Sequence, residues 1–447
     1  MRLAAGRRWS LSVLLLLLVC LALPVRAEES RSLTPIEQVE VLIGLGLLDD
    51  AKDVLAKFLE EHPRDIEGRF LQATIFAEEK RWPDAIAVYR AILDEDPDLL
   101  RVRLDYARAL FENGEDEEAD YNFRLVLPQV PKEVAGNIYV FFGEINARKR
   151  FTYSLSLGGG PDTNINAAPS ISQLTLFGLP FTLPQGSRET FGVGMVMTGS
   201  GEYRLPLTDA PLLADSPGQP RLRLGGLFYR AEYFGGHSKF DDMIARVYAG
   251  PQLLLDRGDI SLLGVASERW YGNLPYNWGF GPRVELNRSL GDRILIQAGF
   301  EYTPDWYHSQ TFLNGHLLTG FVTTQYVLST VSSVSLITGV SKEHDAAPDF
   351  SNLAYRVGFG YQRELPFGIS TYVQPDLILA DYVAPSPTFG TTRRDRLVRL
   401  QLTVFKRDIR LWGAVPSITY NFADNISNQD LFAYTRHQFI LGISRSF

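Results

Sequence analysis

Val398-Arg399-Leu400-Gln401-Leu402-Thr403-Val404 alternates aliphatic and polar side chains residue by residue. Successive side chains of a strand point to opposite faces, so this stretch builds a sheet with one apolar and one polar surface. Working outward, the same period recurs. Val284 and Leu286 alternate with Arg283, Glu285 and Asn287; Ile294, Ile296, Ala298 and Phe300 alternate with Leu295, Gln297, Gly299 and Glu301; Tyr355, Val357, Phe359 and Tyr361 alternate with Arg356, Gly358, Gly360 and Gln362. A soluble sandwich and a membrane barrel alternate alike in any one strand. Segment length favours the barrel, because these runs reach the ten or so residues that a tilted strand needs to cross a bilayer. Aromatic placement favours it too: Trp270-Tyr271, Tyr276 with Trp278, and Trp306-Tyr307 sit at segment ends, where an interfacial girdle belongs.

Alternation and turn signals predict about fourteen strands, starting near Phe151, Arg188, Arg221, Asp242, Ile260, Asn277, Arg293, Leu313, Val331, Leu353, Ile369, Arg393, Ile409 and Tyr434. Tight connections at 256–259, 291–292, 329–330 and 366–368 follow even-numbered strands and are expected on the periplasmic side; longer ones at 307–312, 345–352 and 384–392 are expected outside. An even strand number puts both barrel ends in the periplasm. The chain closes on Phe439, Leu441, Ile443 and Phe447, an ending that looks like the signal read by the outer-membrane barrel assembly machinery. Lumen-facing candidates are Arg246, Arg283, Glu285, Glu301, Arg356 and Arg399, either keeping a path wet or forming an ion-pair lattice in the wall.

Composition agrees. The 447 residues are 45% hydrophobic, with 38 glycines and a mean hydropathy of -0.06, which excludes a disordered chain and a polytopic helical membrane protein. The one long apolar run, 11–23, follows Arg2, Arg7 and Arg8 and precedes Val25-Arg26-Ala27; residues 1–27 therefore read as a secretory signal peptide. The only cysteine, Cys20, lies inside that run, so the mature chain has no thiol for a disulfide, a metal or a nucleophile. Between 28 and 150 there are 27 Asp and Glu against 16 Lys and Arg, and between 151 and 447 there are 25 against 24. The acidic first part argues against nucleic acid as a partner, and the change of balance marks a domain boundary near 150.

Before that boundary the period is 34. Pro63, Pro97 and Pro131; Ala51, Ala85 and Ala119; Leu55, Tyr89 and Phe123; Val39, Ala73 and Ala107; and Gly46, Lys80 and Gly114 form columns at that spacing. The pattern resembles the tetratricopeptide repeat, a helix-turn-helix unit in which a small alanine allows close approach and a large residue four positions on fills the gap. Units at 32–65, 66–99 and 100–133 are followed by one more helix, 134–150. In the family pattern the first helix of each unit lines a concave groove. The candidate client-binding residues are Ile36, Glu40 and Ile43, then Phe70, Thr74 and Ala77, then Leu104, Arg108 and Phe111.

Enzyme constellations are absent from the sequence. The six histidines show no metal-ligand spacing, Gly199-Ser200-Gly201 is not a nucleophile elbow, and there is no phosphate loop. No cofactor is expected. Asp162-Thr163-Asn164-Ile165-Asn166 carries oxygen ligands at alternate positions but lacks the rest of an EF-hand loop, and reads as a turn.

The fold class is thus an α-helical repeat domain followed by a transmembrane β-barrel of about fourteen antiparallel strands. Together with Phe151-Thr152-Tyr153-Ser154-Leu155-Ser156-Leu157 leading into Asp162-Thr163-Asn164-Ile165-Asn166-Ala167-Ala168-Pro169, it resembles the surface lipoprotein assembly modulator (Slam) family. The resemblance implies a non-enzymatic outer-membrane translocator. Its partners would be an exported lipoprotein or a secreted haem- or metal-capturing protein, the barrel assembly machinery, periplasmic chaperones and outer-membrane lipid. A repeat-coupled exopolysaccharide export porin is the other class the same architecture serves.

Overall fold

In the computed structural model, residues 33–176, 179–208 and 218–446 are described; the predicted signal peptide and Phe447 lie outside them. The chain forms two compact units that divide between Leu71 and Gln72.

Seven α-helices precede the strands among the described residues: α1 (Pro35–Gly44), α2 (Leu48–Glu61), α3 (Ile66–Glu78), α4 (Trp82–Glu95), α5 (Leu100–Asn113), α6 (Asp116–Val126) and α7 (Lys132–Arg148). Helix α1 starts in a capping box, Thr34 with Glu37, and has Pro35 in its first turn, where a missing N–H costs nothing. The repeat columns are the core columns: Ala51, Ala85 and Ala119, Leu55, Tyr89 and Phe123, and Val39, Ala73 and Ala107 are all buried. The turn column is left-handed throughout, with φ of 74° at Gly46, 60° at Lys80 and 83° at Gly114. A side chain there costs about 1–2 kcal/mol, less the extra freedom a glycine loses on folding. Lys80→Gly is therefore expected to stabilise the α3–α4 turn by about 1 kcal/mol, read as a higher midpoint of helix melting by circular dichroism in detergent.

Fourteen strands close one antiparallel barrel: β1 (Phe151–Asp162), β4 (Gly192–Pro206), β5 (Gln219–Tyr233), β6 (Asp242–Leu255), β7 (Gly258–Tyr271), β8 (Leu274–Leu290), β9 (Ile294–Tyr307), β10 (Gly315–Ser329), β11 (Ser332–Asp345), β12 (Asn352–Leu365), β13 (Ile369–Pro385), β14 (Thr392–Lys406), β15 (Val415–Ser427) and β16 (Tyr434–Ser446). The closure pairs β1 with β16. A small hairpin, β2 (Gln173–Leu176) with β3 (Leu179–Thr182), rises from the β1–β4 connection and had no clear signal in the sequence.

Most strand starts fall within four residues of expectation. The exception is β15, which begins at Val415 instead of Ile409, because Leu411 and Ala414 bridge each other and Trp412 and Gly413 take positive φ, making 407–414 a turn. The connections 256–257, 291–293, 330–331 and 366–368 share one end of the barrel with both termini of the sheet. The other end holds most of the longer loops but also the two-residue turn Gly272-Asn273, with both φ values positive.

Large apolar side chains stand on the outside: Leu157, Val247, Leu262, Phe300, Leu336, Val357, Val404, Ile418 and Leu441 are all exposed. Such a belt is unsustainable in water but natural against acyl chains. Trp278 and Trp306 stack at 4.5 Å near its edge. Among the described residues no helix is long and apolar enough to cross a membrane.

Candidate functional site

Helices α4–α7 and the barrel belong to one unit, and they meet around the rim that carries the short turns. The centre of this contact is Glu364, near the end of β12. Its carboxylate accepts from Arg103 Nη2 at 2.7 Å, Tyr121 Oη at 2.8 Å and Arg407 Nη1 at 2.9 Å. Arg103 also donates to Asn122 Oδ1 and to the Pro97 carbonyl, and both ion-pair side chains are only 2% exposed. Around this node Thr330 donates to Asp98, Tyr139 to Asp292, Arg221 to the Asn146 carbonyl (2.5 Å), Arg293 to the Pro128 carbonyl (3.1 Å) and the Gly368 amide to the Asp94 carbonyl (3.2 Å). The contacts run from β5 round to the β14–β15 turn, so the helices lie across the mouth. Burial, reinforced by the neighbouring Glu364 carboxylate, holds the Tyr121 hydroxyl well above its ordinary value.

Arg410, in the β14–β15 turn, donates to Glu118 of α6 at 3.0 Å. Burial alone would raise the Glu118 carboxyl, but Arg410 and Arg90 outweigh it and hold the group below the usual 4.5. A carboxylate lowered by folding contributes stability above its unfolded value and loses it as pH falls through the folded one. Attachment of α6 is thus expected to stay constant down to about pH 5 and to weaken below about pH 4.5; amide exchange in α6 checks this, with Glu118→Gln removing the dependence.

The groove candidates separate. Within the second unit, Thr74, Ala77, Tyr89, Arg101, Asp105 and Arg108 line a cavity of about 380 Å³. Thr74 and Tyr89 share a hydrogen bond, and burial pushes the Tyr89 hydroxyl up to about 12. Leu104 is half-buried and Arg108 exposed. Phe111 is buried beneath Arg148 (3.9 Å) and against Phe141 (4.8 Å), so its ring serves packing with α7. In the first unit Ile36 is half-buried, Glu40 exposed and Phe70 buried.

All six lumen candidates lie in ion-pair networks. One runs Arg204–Glu202–Arg223–Glu285–Arg283–Glu301–Arg246, with the Arg223–Glu285 and Arg246–Glu301 pairs at 2.5 Å. It links β4, β5, β6, β8 and β9, with Arg223 also reaching Ser261 of β7. The second has Asp376 between Arg356 at 2.8 Å and Arg399 at 3.6 Å. Beside it Arg356, Gln374, Arg399, Gln401, Asn421, Arg436 and Gln438 surround a polar cavity of about 400 Å³. Of the assembly-signal residues, Phe439 and Leu441 face outward and are exposed, and Ile443 pairs with Leu157 at the closure.

Glu364 was absent from the candidates, yet half of its partnership was visible. Arg103 sits three, four and seven residues before Tyr106, Ala107 and Leu110, on the buried stripe of α5; a charge there needs a partner.

A closed fourteen-stranded barrel with an apolar outer belt, a charged lumen and helices α4–α7 across one mouth defines a helix-coupled outer-membrane β-barrel. Residues 225–447 match the family model described as surface lipoprotein assembly modifier, and residues 60–123 match the model of that family's N-terminal TPR repeats. The chain belongs to the surface lipoprotein assembly modifier family. It is 24% identical to surface lipoprotein assembly modifier 1 of Haemophilus influenzae over 84% of this chain and 76% of that protein. With the surface lipoprotein assembly modifier of Pasteurella multocida it shares 21% identity over 93% of this chain and 82% of the relative. Among solved structures, the outer-membrane channel DcaP of Acinetobacter baumannii overlaps it with a TM-score of 0.38 at 8% identity, over 67% of this chain and 98% of that one.

Proposed function

We propose that this protein carries client polypeptides, lipid-anchored or secreted haem- and metal-capturing ones, from the periplasm to the bacterial surface. The helices would face the periplasm and receive the client, with the cavity around Thr74, Ala77 and Arg108 as the contact for an extended segment. The observation that carries this reading is the buried Arg103–Glu364 pair, which ties the repeat helices to the barrel mouth. Anything approaching the barrel from that side meets the helices first. The charge lattice lines the wall between strands that are not neighbours, as from Arg223 on β5 to Glu285 on β8, and a barrel of fourteen strands is narrower than the 16- to 18-stranded porins that leave an aqueous channel, so a folded client would not fit through it. The client passes unfolded, or at the β1–β16 closure. Barrel assembly machinery and periplasmic chaperones would serve the insertion of the barrel and the delivery of the client.

The test is co-expression of the full chain with a candidate lipoprotein and antibody labelling of intact cells. Surface label that depends on the full chain, and that falls when Arg108 and Thr74 are both replaced by alanine, supports the proposal. Label that is unchanged without the protein overturns it.

A further inference from the structure

The β1–β16 closure is uneven along its length. The ladder is continuous from Ser154↔Ser446 to Gly159↔Leu441, breaks at Gly160 and Pro161, and resumes in the same register only at Asp162↔Gln438. Pro161 has no N–H to donate, and a Cβ at Gly160 would run into the Phe439 carbonyl. Beyond this gap few backbone bonds remain, among them that from the Thr163 amide to the His437 carbonyl, and side chains supply much of the closure.

Each residue of Asp162-Thr163-Asn164-Ile165-Asn166 has a distinct partner. Asp162, 1% exposed, accepts from Arg436 Nη2 at 2.5 Å, Arg436 Nε at 3.0 Å and Gln438 Nε2 at 3.1 Å, all on β16. The Thr163 amide donates to the His437 carbonyl, and the His437 amide donates to Thr163 Oγ1, each at 2.9 Å. Asn164, fully buried, donates to the carbonyls of Ala168 and Thr435. Asn166 donates to the Arg188 carbonyl and accepts from the Thr190 amide. Ile165 is buried with Ala231, Tyr233 and Phe240, and Val196, Tyr229 and Tyr271 pack around them. Tyr229 also lines the lumen cavity, and by the two-residue period Tyr229, Ala231 and Tyr233 share the inward face of β5 with Arg223. The loop therefore turns into the mouth opposite the helices.

We infer that this segment is a latch, holding the closure shut beyond the gap and stopping the far mouth with Ile165. Arg436 joins its two functions, because it clasps Asp162 and also donates to the Tyr233 hydroxyl at 3.0 Å, beside the stopper. A buried carboxylate paired with a guanidinium suits a latch: with the partners together the charges are neutralised, and when they part both must be rehydrated, so intermediate states are disfavoured. The polar side chains that resemble a cation loop are thereby all committed within the protein, and among the described residues no cluster that could hold a metal ion is present.

The experiment is single-channel recording of the full chain in planar lipid bilayers, which needs no client and so stands apart from the export proposal. The unaltered protein is expected to be almost silent. Asp162→Asn, which removes the charge opposite Arg436, is expected to open at least tenfold more often. Ile165→Ser, which removes the stopper without touching the ladder, is expected to do the same. Both are first checked for the heat-modifiable gel migration of a folded barrel. A folded variant of either kind that stays as silent as the unaltered chain overturns the latch; if Asp162→Asn does not fold, Ile165→Ser decides alone.

Discussion

Glu364→Ala in the full chain is expected to loosen α5 and α6 from the barrel mouth, at a cost of about 3–5 kcal/mol. The magnitude follows from what is left behind. Arg103 is 1% exposed and keeps only Asn122 and the Pro97 carbonyl, so its charge is stranded where water cannot reach it. Tyr121 keeps Gln362 as a donor to its oxygen but loses its acceptor, and Arg407, being more exposed, turns to solvent at small cost. Amide exchange should speed up in α5 and α6 while the β-ladder remains protected. Replacing both charges, Arg103→Met with Glu364→Met, should cost less than Glu364→Ala alone, because two apolar groups of similar volume leave no ion without a partner. If the double variant is the worse of the two, the pair stabilises through net attraction and the stranded-charge account is wrong.

The second large effect is expected at Glu285. Its side chain takes Arg223 and Arg283 at 2.5 Å each in the middle of the lumen lattice. Glu285→Ala cuts the chain of pairs in two, leaving Arg223 with Glu202 and Arg283 with the longer Glu301 contact at 3.4 Å, and loses two charge-assisted hydrogen bonds, each worth about 1.5–3 kcal/mol. Arg246 ends the same chain with Glu301 alone, so Arg246→Met removes one interaction and strands no second cation. Barrels unfold irreversibly on heating, so the measurement is a ranking: the temperature at which the folded gel band disappears should fall far more for Glu285→Ala than for Arg246→Met. Equal falls would show that the pairs act independently.

Both positions show how far the residues alone reach. Glu285 was legible, because a charge alternating with Val284 and Leu286 must face the wet side of the wall. What it pairs with was not, since Arg223 lies three strands away in the barrel and 62 residues away in the chain. The repeat columns were legible down to the buried alanines, because a 34-residue period is a local property of each helical hairpin. Phe70 and Phe111 were expected to line the groove, yet both rings are buried, and burial against a neighbouring element is not a property that a helix face shows in the sequence. The Asp162–Asn166 run read as a turn; its partners on β16 are more than 270 residues further on, and no local pattern points there.

The sequence by itself determined the repeats, the alternating wall, its strand number and the charge on each face. These follow from periods of 34 and of two, which any short window contains, and from the energetic demand that each period be buried or wetted on a particular side. Only the tertiary structure decided three sets of contacts: helices α4–α7 onto the mouth through Glu364, the Arg and Glu lattice along the lumen wall, and the barrel seam through Asp162. Each depends on a carboxylate meeting an arginine from a distant part of the chain, brought near by docking of a helix, by the packing of β5 to β8, or, at the seam, by closure of the fourteen-stranded ring. Such a pairing leaves no periodic trace, because a single contact between distant residues satisfies it.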